Sequence, residues 1–599
     1  MTDESARGAE AARGARPLPR AGREERRRPA KARSRRGQVF DRRLAAIAAG
    51  VTVALLAAAR YFLDGMGPTG WSWQLLMLCV LVAAAAGRGL LGLRESSEEQ
   101  ERRPSRRFRA AIWLVLLGAA TLPNLHGLHV GFLADDFGLL RAARLAAGPF
   151  DVARLLPLRI FYRPVSLLVW WTGLHLWNGS PLGYQLSSLA LHAANTSLLY
   201  VLARRYIGSV YGGAMAALLF AVHPVHVETT VWASAQPDLL CTAFCLSSMW
   251  CVEQYVTSRR GYREHLALVG ALATFLLALW SKETAIALPG IVLLRVAFTP
   301  REGRRARAAW VGGTYALGVG LYLAVRLFML REHWLGGEGT RLAFWNAVYP
   351  SMPLLLTGEL FFPTHRALFE SVLPGYLWVA VTTVMALGLL WCVRSLESVS
   401  WQRLALYTSY VFLPAIPLST AGLTIGVNME NSRYAYLPSV GLALLFGEIC
   451  ARSRGGRGRT GLIGVATIVA AAVLSVWYVA PWRQAARLRD DLLGSAVGVV
   501  ATLPDSPPPS TVLFEGVPFS HLGAALFVEG CFWKALAPLV DRPVSIEEVA
   551  PDRTALELMS ESDLLPGEYL VSWDDESRTM VIERAGGQPA PQPAREVPP

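Results

Sequence analysis

The sequence predicts an all-α polytopic membrane protein with about thirteen transmembrane helices. Of its 599 residues, 53% are hydrophobic, and the mean hydropathy is +0.33. Apolar runs repeatedly reach the roughly 20 residues that a helix needs to cross a hydrocarbon layer about 30 Å thick. Basic residues alternate with these runs as the loops of a membrane protein require.

The predicted spans are residues 43–62, 71–93, 109–127, 183–203, 209–226, 236–256, 264–281, 284–298, 309–329, 376–393, 403–420, 434–451 and 460–480. The segment 284–298 is short and follows its predecessor closely, so the two can also be interpreted as one broken helix. The long connection after 329 contains 342–365, which is interrupted by prolines and predicts one or two short interfacial or re-entrant helices, with a fourteenth span as the alternative.

Lysine and arginine accumulate on one side of this arrangement, which sets its orientation. Basic stretches at 23–36, 102–109, 204–206, 258–263, 300–308 and 451–459 all fall on the same side. The N-terminus is therefore predicted to be cytoplasmic and the C-terminus exoplasmic. These loops and the basic N-terminal tail account for the net charge of +13, which favours contact with anionic membrane lipids over nucleic acid.

Composition divides the chain into five predicted parts. A disordered basic cytoplasmic tail (1–42) precedes two extra N-terminal spans (43–108) and a membrane core (109–480). A small exoplasmic α/β domain follows at 481–585, in which "GEYLVSWDDESRTMVIER" predicts a β-hairpin. A Pro-rich disordered tail (586–599) ends the chain.

Two adjacent acids, Asp135 and Asp136 in "GFLADDFGLL", follow an apolar run and are predicted to lie in the first long exoplasmic loop. They could be ordinary capping or solvated loop acids. However, other polar clusters recur at exoplasmic helix ends, which predicts that several loops converge on one cavity. The pair is therefore the candidate for catalytic carboxylates.

Three further clusters supply candidate binding residues. "HPVHVETTVWASAQPDLL" offers imidazoles and carboxylates that could bind a divalent metal, although Pro224 disfavours a regular helical arrangement and hydrogen bonding is the alternative. "WSKETAIALPG" carries one of only three lysines, which suits an anionic phosphate or pairs simply with the following glutamate. "NMENSRYAYLPSV" adds an arginine for bidentate phosphate contact and tyrosines that suit a membrane interface.

The predicted donor-phosphate ligands are Lys282, Arg433 and Arg326. The other residues predicted to bind substrate or to hold the site together are Arg163, His223, His226, Glu228, Asp238, Glu283, Glu430 and Tyr434. A divalent metal ion stays open as a cofactor.

These clusters, with "YRPVSLLVWW" and "LGYQLSSLALHAANTSLLYVLARR", resemble in order and spacing the membrane core of the transmembrane and tetratricopeptide-repeat O-mannosyltransferases and their bacterial relatives. The resemblance covers about 109–480 and implies the C-type (GT-C) glycosyltransferase fold, whose core has about eleven spans. It also implies that an acidic motif in the first exoplasmic loop carries catalysis, and this motif maps onto Asp135 and Asp136. The chain lacks the repeats and has a different C-terminal part.

The resemblance implies transfer of a sugar from a polyisoprenyl-phosphate carrier to a hydroxyl of a protein, glycan or lipid acceptor. The chemistry of the residues agrees, since such a transfer needs a base and cations for the departing phosphate. Alternatives are an envelope-glycan ligase or polymerase with a lipid-pyrophosphate donor, or a transporter or flippase. A transporter would place ionisable groups near mid-bilayer. The expected location is the plasma membrane of a bacterium.

Overall fold

The computed structural model describes residues 106–152, 162–257, 262–299, 304–334, 352–363, 365–367, 399–420, 425–426, 428–452, 457–503, 511–515, 517–518, 520–522, 524–527, 532–540, 545–548, 568–574 and 577–584. The predicted spans 43–62, 71–93 and 376–393 and the predicted disordered tails lie outside the described residues.

The described chain is mostly helical. Its α-helices are α1 Arg106–Thr121, α2 Asp136–Leu145, α3 Pro149–Val152, α4 Pro164–Trp177, α5 Pro181–Ile207, α6 Val210–Ala221, α7 Val227–Val231, α8 Gln236–Thr257, α9 Tyr262–Ser281, α10 Leu288–Ala297, α11 Arg304–Trp334, α12 Met352–Phe361, α13 Trp401–Thr420, α14 Ser439–Arg452, α15 Arg457–Thr502 and α16 Phe532–Leu536. Short 3-10 turns connect several of them, at Leu122–His129, Pro224–His226, Ala233–Ala235, Glu283–Ala287, Ser432–Ala435 and Ala537–Leu539.

Six helical stretches in the described residues are long and apolar enough to cross a membrane, which makes the chain a multi-pass membrane protein. They are Arg106–His129, Pro181–Ile207, Ala233–Thr257, Tyr262–Ser281, Arg305–Met329 and Gly461–Thr502. The pair Val210–Ala221 and Pro224–Val231, bent by 52° at its break, makes a seventh if it counts as one span. The count of thirteen spans stays a prediction.

Strands occur in the C-terminal part: β1 Thr511–Glu515, β2 Ser520–His521, β3 Ala524–Ala525, β4 Ser545–Glu548, β5 Glu568–Asp574 and β6 Thr579–Arg584. Four of them form a mixed sheet in the order β4-β1-β5-β6, and β2 pairs with β3. Strands β5 and β6 are antiparallel, with Val571 opposite Ile582, as the predicted hairpin requires. Strand β1 runs parallel to both of its neighbours.

Two glycines allow α6 and α14 to touch backbone to backbone. A Cβ on Gly212 would lie 2.8 Å from the carbonyl oxygen of Gly447, and one on Gly447 would lie 2.3 Å from that of Gly212. Small residues permit this close approach between membrane helices. The contact fixes the relative position of the two polar turns that follow α6 and precede α14.

The last long helix crosses the predicted boundary between core and C-terminal domain. Helix α15 passes through Pro481 and ends at Thr502, whereas the sequence placed a domain boundary at 480/481. Trp482 and Leu492 on this extension are buried in the same apolar cluster as Leu133 and Phe527. The extension therefore joins the C-terminal part to the loop that carries the two aspartates.

Candidate functional site

The loop 130–135 presents the two aspartates at the start of α2. Gly131 and Ala134 both have positive φ angles, +75° and +47°, so the chain turns sharply before the helix. Asp135 is the residue that caps α2, but its side chain makes no capping hydrogen bond. Since the carboxylate of Asp135 is not needed for the cap, the simple capping alternative does not explain it.

Asp136 is fully buried and bonded on both carboxylate oxygens. Its Oδ2 accepts a hydrogen bond from the backbone N–H of Leu133 at 2.8 Å, and its Oδ1 accepts one from the hydroxyl of Ser234. Burial raises the pKa of Asp136 to about 7, against the opposing effect of these two hydrogen bonds. The neighbouring charge of Asp135 raises it further. Asp136 thus ties its loop to the polar turn before α8.

Asp135 is only partly buried and faces positive charge. Burial raises the pKa of its carboxyl, while the cations Arg433, Lys534 and Arg163 act to lower it. These three cations come from widely separated parts of the sequence, so the fold brings them to one acid. A partly exposed carboxylate beside cations can take a proton next to a negatively charged ligand.

Arg433 is held by Glu228. Its Nη1 donates to Oε1 of Glu228 at 2.9 Å, and its backbone N–H donates to Oε2 at 3.1 Å. The guanidinium also lies 4.5 Å from the ring centre of Trp232 and 5.1 Å from that of Tyr434. The predicted residues Glu228, Arg433 and Tyr434 therefore form one cluster, in which Arg433 has a fixed orientation.

Lys282 and Glu283 do not pair with each other. The ammonium of Lys282 lies 2.6 Å from both carboxylate oxygens of Asp238 and 4.7 Å from the ring centre of Tyr434. Glu283 binds Arg163 through two hydrogen bonds, of 3.0 Å from Nε and 2.5 Å from Nη2. The simple Lys–Glu pair considered from the sequence is wrong, because adjacent residues at a helix start point in different directions.

The structure thus joins Arg163, Lys282 and Arg433 to carboxylates at one site. Burial disfavours the charge of Glu283, but the Arg163 guanidinium and its hydrogen bond outweigh this and lower the pKa of that carboxyl to about 2. Arg326 lies one turn beyond Tyr322 and donates to its hydroxyl at 2.8 Å. The charges of Glu283 and Arg163 both act on Tyr322. Arg326 therefore lies at the edge of the same group of charged residues.

The predicted histidines have protein partners. His226 shares a hydrogen bond of 2.8 Å with the hydroxyl of Ser439, and His223 shares one of 3.0 Å with the carbonyl oxygen of Leu360. Since Glu228 binds Arg433, these residues link helices around the site. Within the described part of the chain, no group of three or more His, Cys, Asp or Glu side chains could hold a metal ion.

Glu430 lies beside a different acid. Its Oε2 accepts a hydrogen bond from the backbone N–H of Asn428 at 3.0 Å. Burial raises the pKa of Glu359 on α12 to about 8, and the charge of Glu430 adds to this effect. The structure therefore connects Glu430 to α12.

Three residues at the site were not assigned a role from the sequence: Ser234, Arg489 and Lys534. Ser234 stands inside the cluster "HPVHVETTVWASAQPDLL", so its position was the available signal. Arg489 on α15 donates from Nη1 to the carbonyl oxygens of Val130 and Phe132, at 2.8 and 2.6 Å. Lys534 is one of three lysines in the chain, but it lies in the part that composition separated from the core.

Part of the chain matches a known protein family. Residues 163–326 match the family model described as dolichyl-phosphate-mannose-protein mannosyltransferase. The chain resembles the protein O-mannosyltransferases. This confirms the resemblance predicted from the four polar clusters and supports a glycosyltransferase. The matched range contains Arg163, Glu228, Asp238 and Lys282.

Curated O-mannosyltransferase relatives match over limited lengths. Protein O-mannosyl-transferase Tmtc1 of Drosophila melanogaster is 30% identical over 177 residues, covering 27% of this chain and 20% of that protein. Protein O-mannosyl-transferase F38B6.6 of Caenorhabditis elegans is 34% identical over 156 residues, covering 23% and 22%. The human TMTC3 match is 22% identical and covers 47% and 35%. The chain therefore spans about a fifth of the first two relatives.

Two solved structures are similar in outline. One is an archaeal oligosaccharyltransferase, AglB from Archaeoglobus fulgidus, in complex with an inhibitory peptide and a dolichol-phosphate. Its TM-score is 0.39 at 11% identity, covering 73% of this chain and 64% of that one. The other is ArnT from Cupriavidus metallidurans bound to undecaprenyl phosphate. Its TM-score is 0.38 at 14% identity, covering 78% and 92%.

Proposed function

We propose that this protein is an inverting membrane glycosyltransferase that moves a hexose from a polyisoprenyl phosphate to an acceptor hydroxyl on the exoplasmic face. The observation that carries the proposal is the position of Asp135, a partly exposed carboxylate with Arg163 and Arg433 close enough to act on its pKa. The match of residues 163–326 to a dolichyl-phosphate-mannose-dependent family supports this donor class and makes mannose the first sugar to test.

Asp135 is the general base in this proposal, and Asp136 positions the loop. A base must reach the proton that it removes, and the partly exposed side chain of Asp135 can do so. Asp136 is fully buried and already accepts hydrogen bonds from Leu133 and Ser234. In this proposal, the difference in burial and hydrogen bonding gives the two aspartates separate roles, which the sequence alone could not assign.

The arginines stabilise the phosphate that leaves. Arg163 and Arg433 are each bound to a glutamate, so their guanidinium groups are held in place before the donor arrives. Preorganised positive charge costs little rearrangement during the reaction, and it interacts more strongly as the phosphate gains charge. Lys282, held by Asp238, adds a third fixed cation, and Arg326 extends the group beside Tyr322.

The proposed step balances as a single displacement. The acceptor oxygen forms a bond to the anomeric carbon, and the bond from that carbon to the phosphate oxygen breaks. The hydroxyl proton passes to Asp135, and the polyisoprenyl phosphate leaves with the bonding electron pair. Because one direct attack occurs, the configuration at the anomeric carbon is inverted.

The first experiment compares purified full-length wild type with Asp135→Asn, with Asp151→Asn in the short helix α3 as the control. Each is supplied with radiolabelled polyprenyl-phosphate sugars, mannose first, and membrane extract as the acceptor source. Asp135→Asn should lower transfer by about 10²–10⁴-fold, the usual contribution of a general base. Asp151→Asn should behave as wild type.

Equal transfer by Asp135→Asn and wild type would remove Asp135 from the mechanism. A product with retained anomeric configuration would rule out the direct displacement. Transfer only from an oligosaccharide pyrophosphate would replace the proposal with a glycan ligase or polymerase.

A further inference from the structure

The C-terminal part of the chain packs against the loop 130–135, which we call the aspartate loop. The backbone N–H of Ala134, immediately before Asp135, donates to the carbonyl oxygen of Leu526 at 2.9 Å. The ring of Phe527 stacks on Phe137 in the first turn of α2, with ring centres 6.1 Å apart and an interplanar angle of 25°. A backbone hydrogen bond and a stacked ring pair fix the two segments relative to each other.

An apolar core continues through this contact. Phe527 is completely buried and packs edge-on against Phe532, with ring centres 5.1 Å apart. Phe532 begins α16 and packs against Phe514 of β1 in the same way, also at 5.1 Å. The short helix α16 is therefore anchored both to the sheet and, through Phe527, to the aspartate loop.

This packing brings Lys534 to the first turn of α2. A Cβ on Gly138 would lie 3.9 Å from the Nζ of Lys534. Gly138 lies three residues after Asp135, and residues three apart in a helix lie on the same face. Lys534 is partly buried, and its charge acts on the carboxyl of Asp135.

Lys534 differs from the other cations of the site in its origin. Arg163, Arg433 and Lys282 each belong to the membrane core and bind a carboxylate of that core. Lys534 belongs to the C-terminal part, outside the membrane core. An ammonium is a compact charge with three donors, which suits a phosphate oxygen.

We propose that Lys534 is a phosphate ligand contributed by the C-terminal part, and that the donor site is complete only when Leu526, Phe527 and Lys534 lie on the aspartate loop. This inference rests on the proposed function, since it assigns a role to Lys534 in the same donor site. It gives the C-terminal part a role in binding the donor.

The test measures binding of undecaprenyl phosphate, which carries no sugar, to the full-length protein in nanodiscs. The variants are Lys534→Gln, Lys534→Arg and, as a control, Arg578→Gln, which removes an exposed cation of the same C-terminal part that pairs with Asp491. Losing one charge-assisted contact should weaken binding about tenfold in Lys534→Gln. Lys534→Arg should retain most of the affinity, and Arg578→Gln should bind as wild type.

Undecaprenol, which lacks the phosphate, separates a lost phosphate contact from a damaged lipid groove. Lys534→Gln should bind it as wild type does, and equal weakening for both lipids would overturn the proposal. If Lys534→Gln does not fold, Gly138→Asp places a carboxylate against the Lys534 ammonium and should also weaken phosphate binding. Gly138→Ala fills the same space without charge and should not.

The outcome separates this inference from the proposed function. Unchanged phosphate binding in Lys534→Gln, together with an inactive Asp135→Asn, would overturn the role of Lys534 and leave the transferase. Wild-type transfer by Asp135→Asn would overturn the transferase mechanism whatever the lysine variants show.

Discussion

Ser234 donates its hydroxyl hydrogen to Asp136 across a sequence separation of 98 residues. The backbone N–H of Leu133 donates to the other carboxylate oxygen at 2.8 Å, so the buried carboxylate has a donor on each side. Both donors favour the charged form of Asp136 and oppose the effect of burial. The pair fixes the aspartate loop to the turn before α8, which also carries Trp232, a ring in contact with Arg433.

The variant Ser234→Ala should raise the pKa of Asp136 above about 7, because it removes the donor that most lowers that pKa. Transfer should decrease about 10- to 150-fold at neutral pH, since losing one hydrogen bond to a buried charged group costs about 1.5–3 kcal/mol. The measurement is the rate of sugar transfer against pH. Ser247→Ala is the control, because the Ser247 hydroxyl donates to a carbonyl oxygen of its own helix, that of Ala243 at 2.8 Å.

If Ser234→Ala and Ser247→Ala show the same dependence of the transfer rate on pH, the Ser234 hydroxyl does not set the protonation state of Asp136. A loss of activity at every pH without a shift would indicate a damaged loop and would also contradict this role.

The acidic limb of the wild-type pH–rate profile should lie above the ordinary carboxyl pKa of 3.8. A carboxylate base works in its deprotonated form, and burial raises the pKa of Asp135 above its ordinary 3.8 even though Arg433, Lys534 and Arg163 oppose the rise. Transfer should therefore increase as pH rises through this raised value. The measurement is kcat/KM across a pH range of about 4 to 8. A rate that is flat over this whole range would contradict a carboxylate base with a raised pKa.

The Arg163–Glu283 pair should show strong coupling in stability. Arg163→Ala leaves the partly buried carboxylate of Glu283 without its two hydrogen bonds, which should destabilise the protein by about 1–3 kcal/mol. The double variant Arg163→Ala/Glu283→Ala should lose less than the sum of the single losses, because it leaves no uncompensated charge. Thermal unfolding in detergent measures the stability of wild type, the two single variants and the double variant. If the losses of the single variants add up to the loss of the double variant, the pair does not contribute to stability.

The same pair gives a sign for the dependence of stability on pH. Glu283 has a folded pKa of about 2, below its ordinary 4.5, so its contribution is fully present above pH 4.5 and is lost as pH falls towards 2. Wild type should therefore lose more stability on acidification than the Arg163→Ala/Glu283→Ala variant. Parallel loss in both proteins would contradict the lowered pKa.

Sequence alone could predict the helices whose ends are set by the membrane. The predicted spans 183–203, 264–281 and 309–329 lie within the helices Pro181–Ile207, Tyr262–Ser281 and Arg304–Trp334, because an apolar run of this length satisfies its backbone in lipid only as a helix. The end of α15 was less predictable. Hydropathy falls after about residue 480, but helical sequence continues to Thr502, since leaving the membrane does not itself end a helix.

The sequence predicts which residues belong to the candidate site better than it predicts which of them pair with each other. Glu228, Arg433 and Tyr434 were all selected from local patterns, and the fold brings them together. The partners of Lys282 and Glu283 were not predictable, because Asp238 and Arg163 lie 44 and 120 residues away. Pairing across such distances depends on how helices pack, and a single sequence does not report this directly.

A glycine at position 131 should be required for the contact between the Arg489 guanidinium and the aspartate loop. It has a φ of +75°, and a Cβ there would lie 2.7 Å from the Arg489 Nη1 that holds the carbonyls of Val130 and Phe132. Gly131→Ala should therefore cost about 1–2 kcal/mol in backbone strain and also displace the guanidinium from the aspartate loop. Both transfer activity and the midpoint of thermal unfolding should decrease.

Gly494 supplies the matched control, because it lies inside α15 and a Cβ there would meet nothing within 4 Å. Gly494→Ala should stabilise the protein by up to about 1 kcal/mol through helix propensity and leave transfer unchanged. The two identical substitutions are thus expected to change stability in opposite directions. If Gly131→Ala behaves like Gly494→Ala in both assays, the Arg489 contact does not hold the loop in the conformation that presents Asp135.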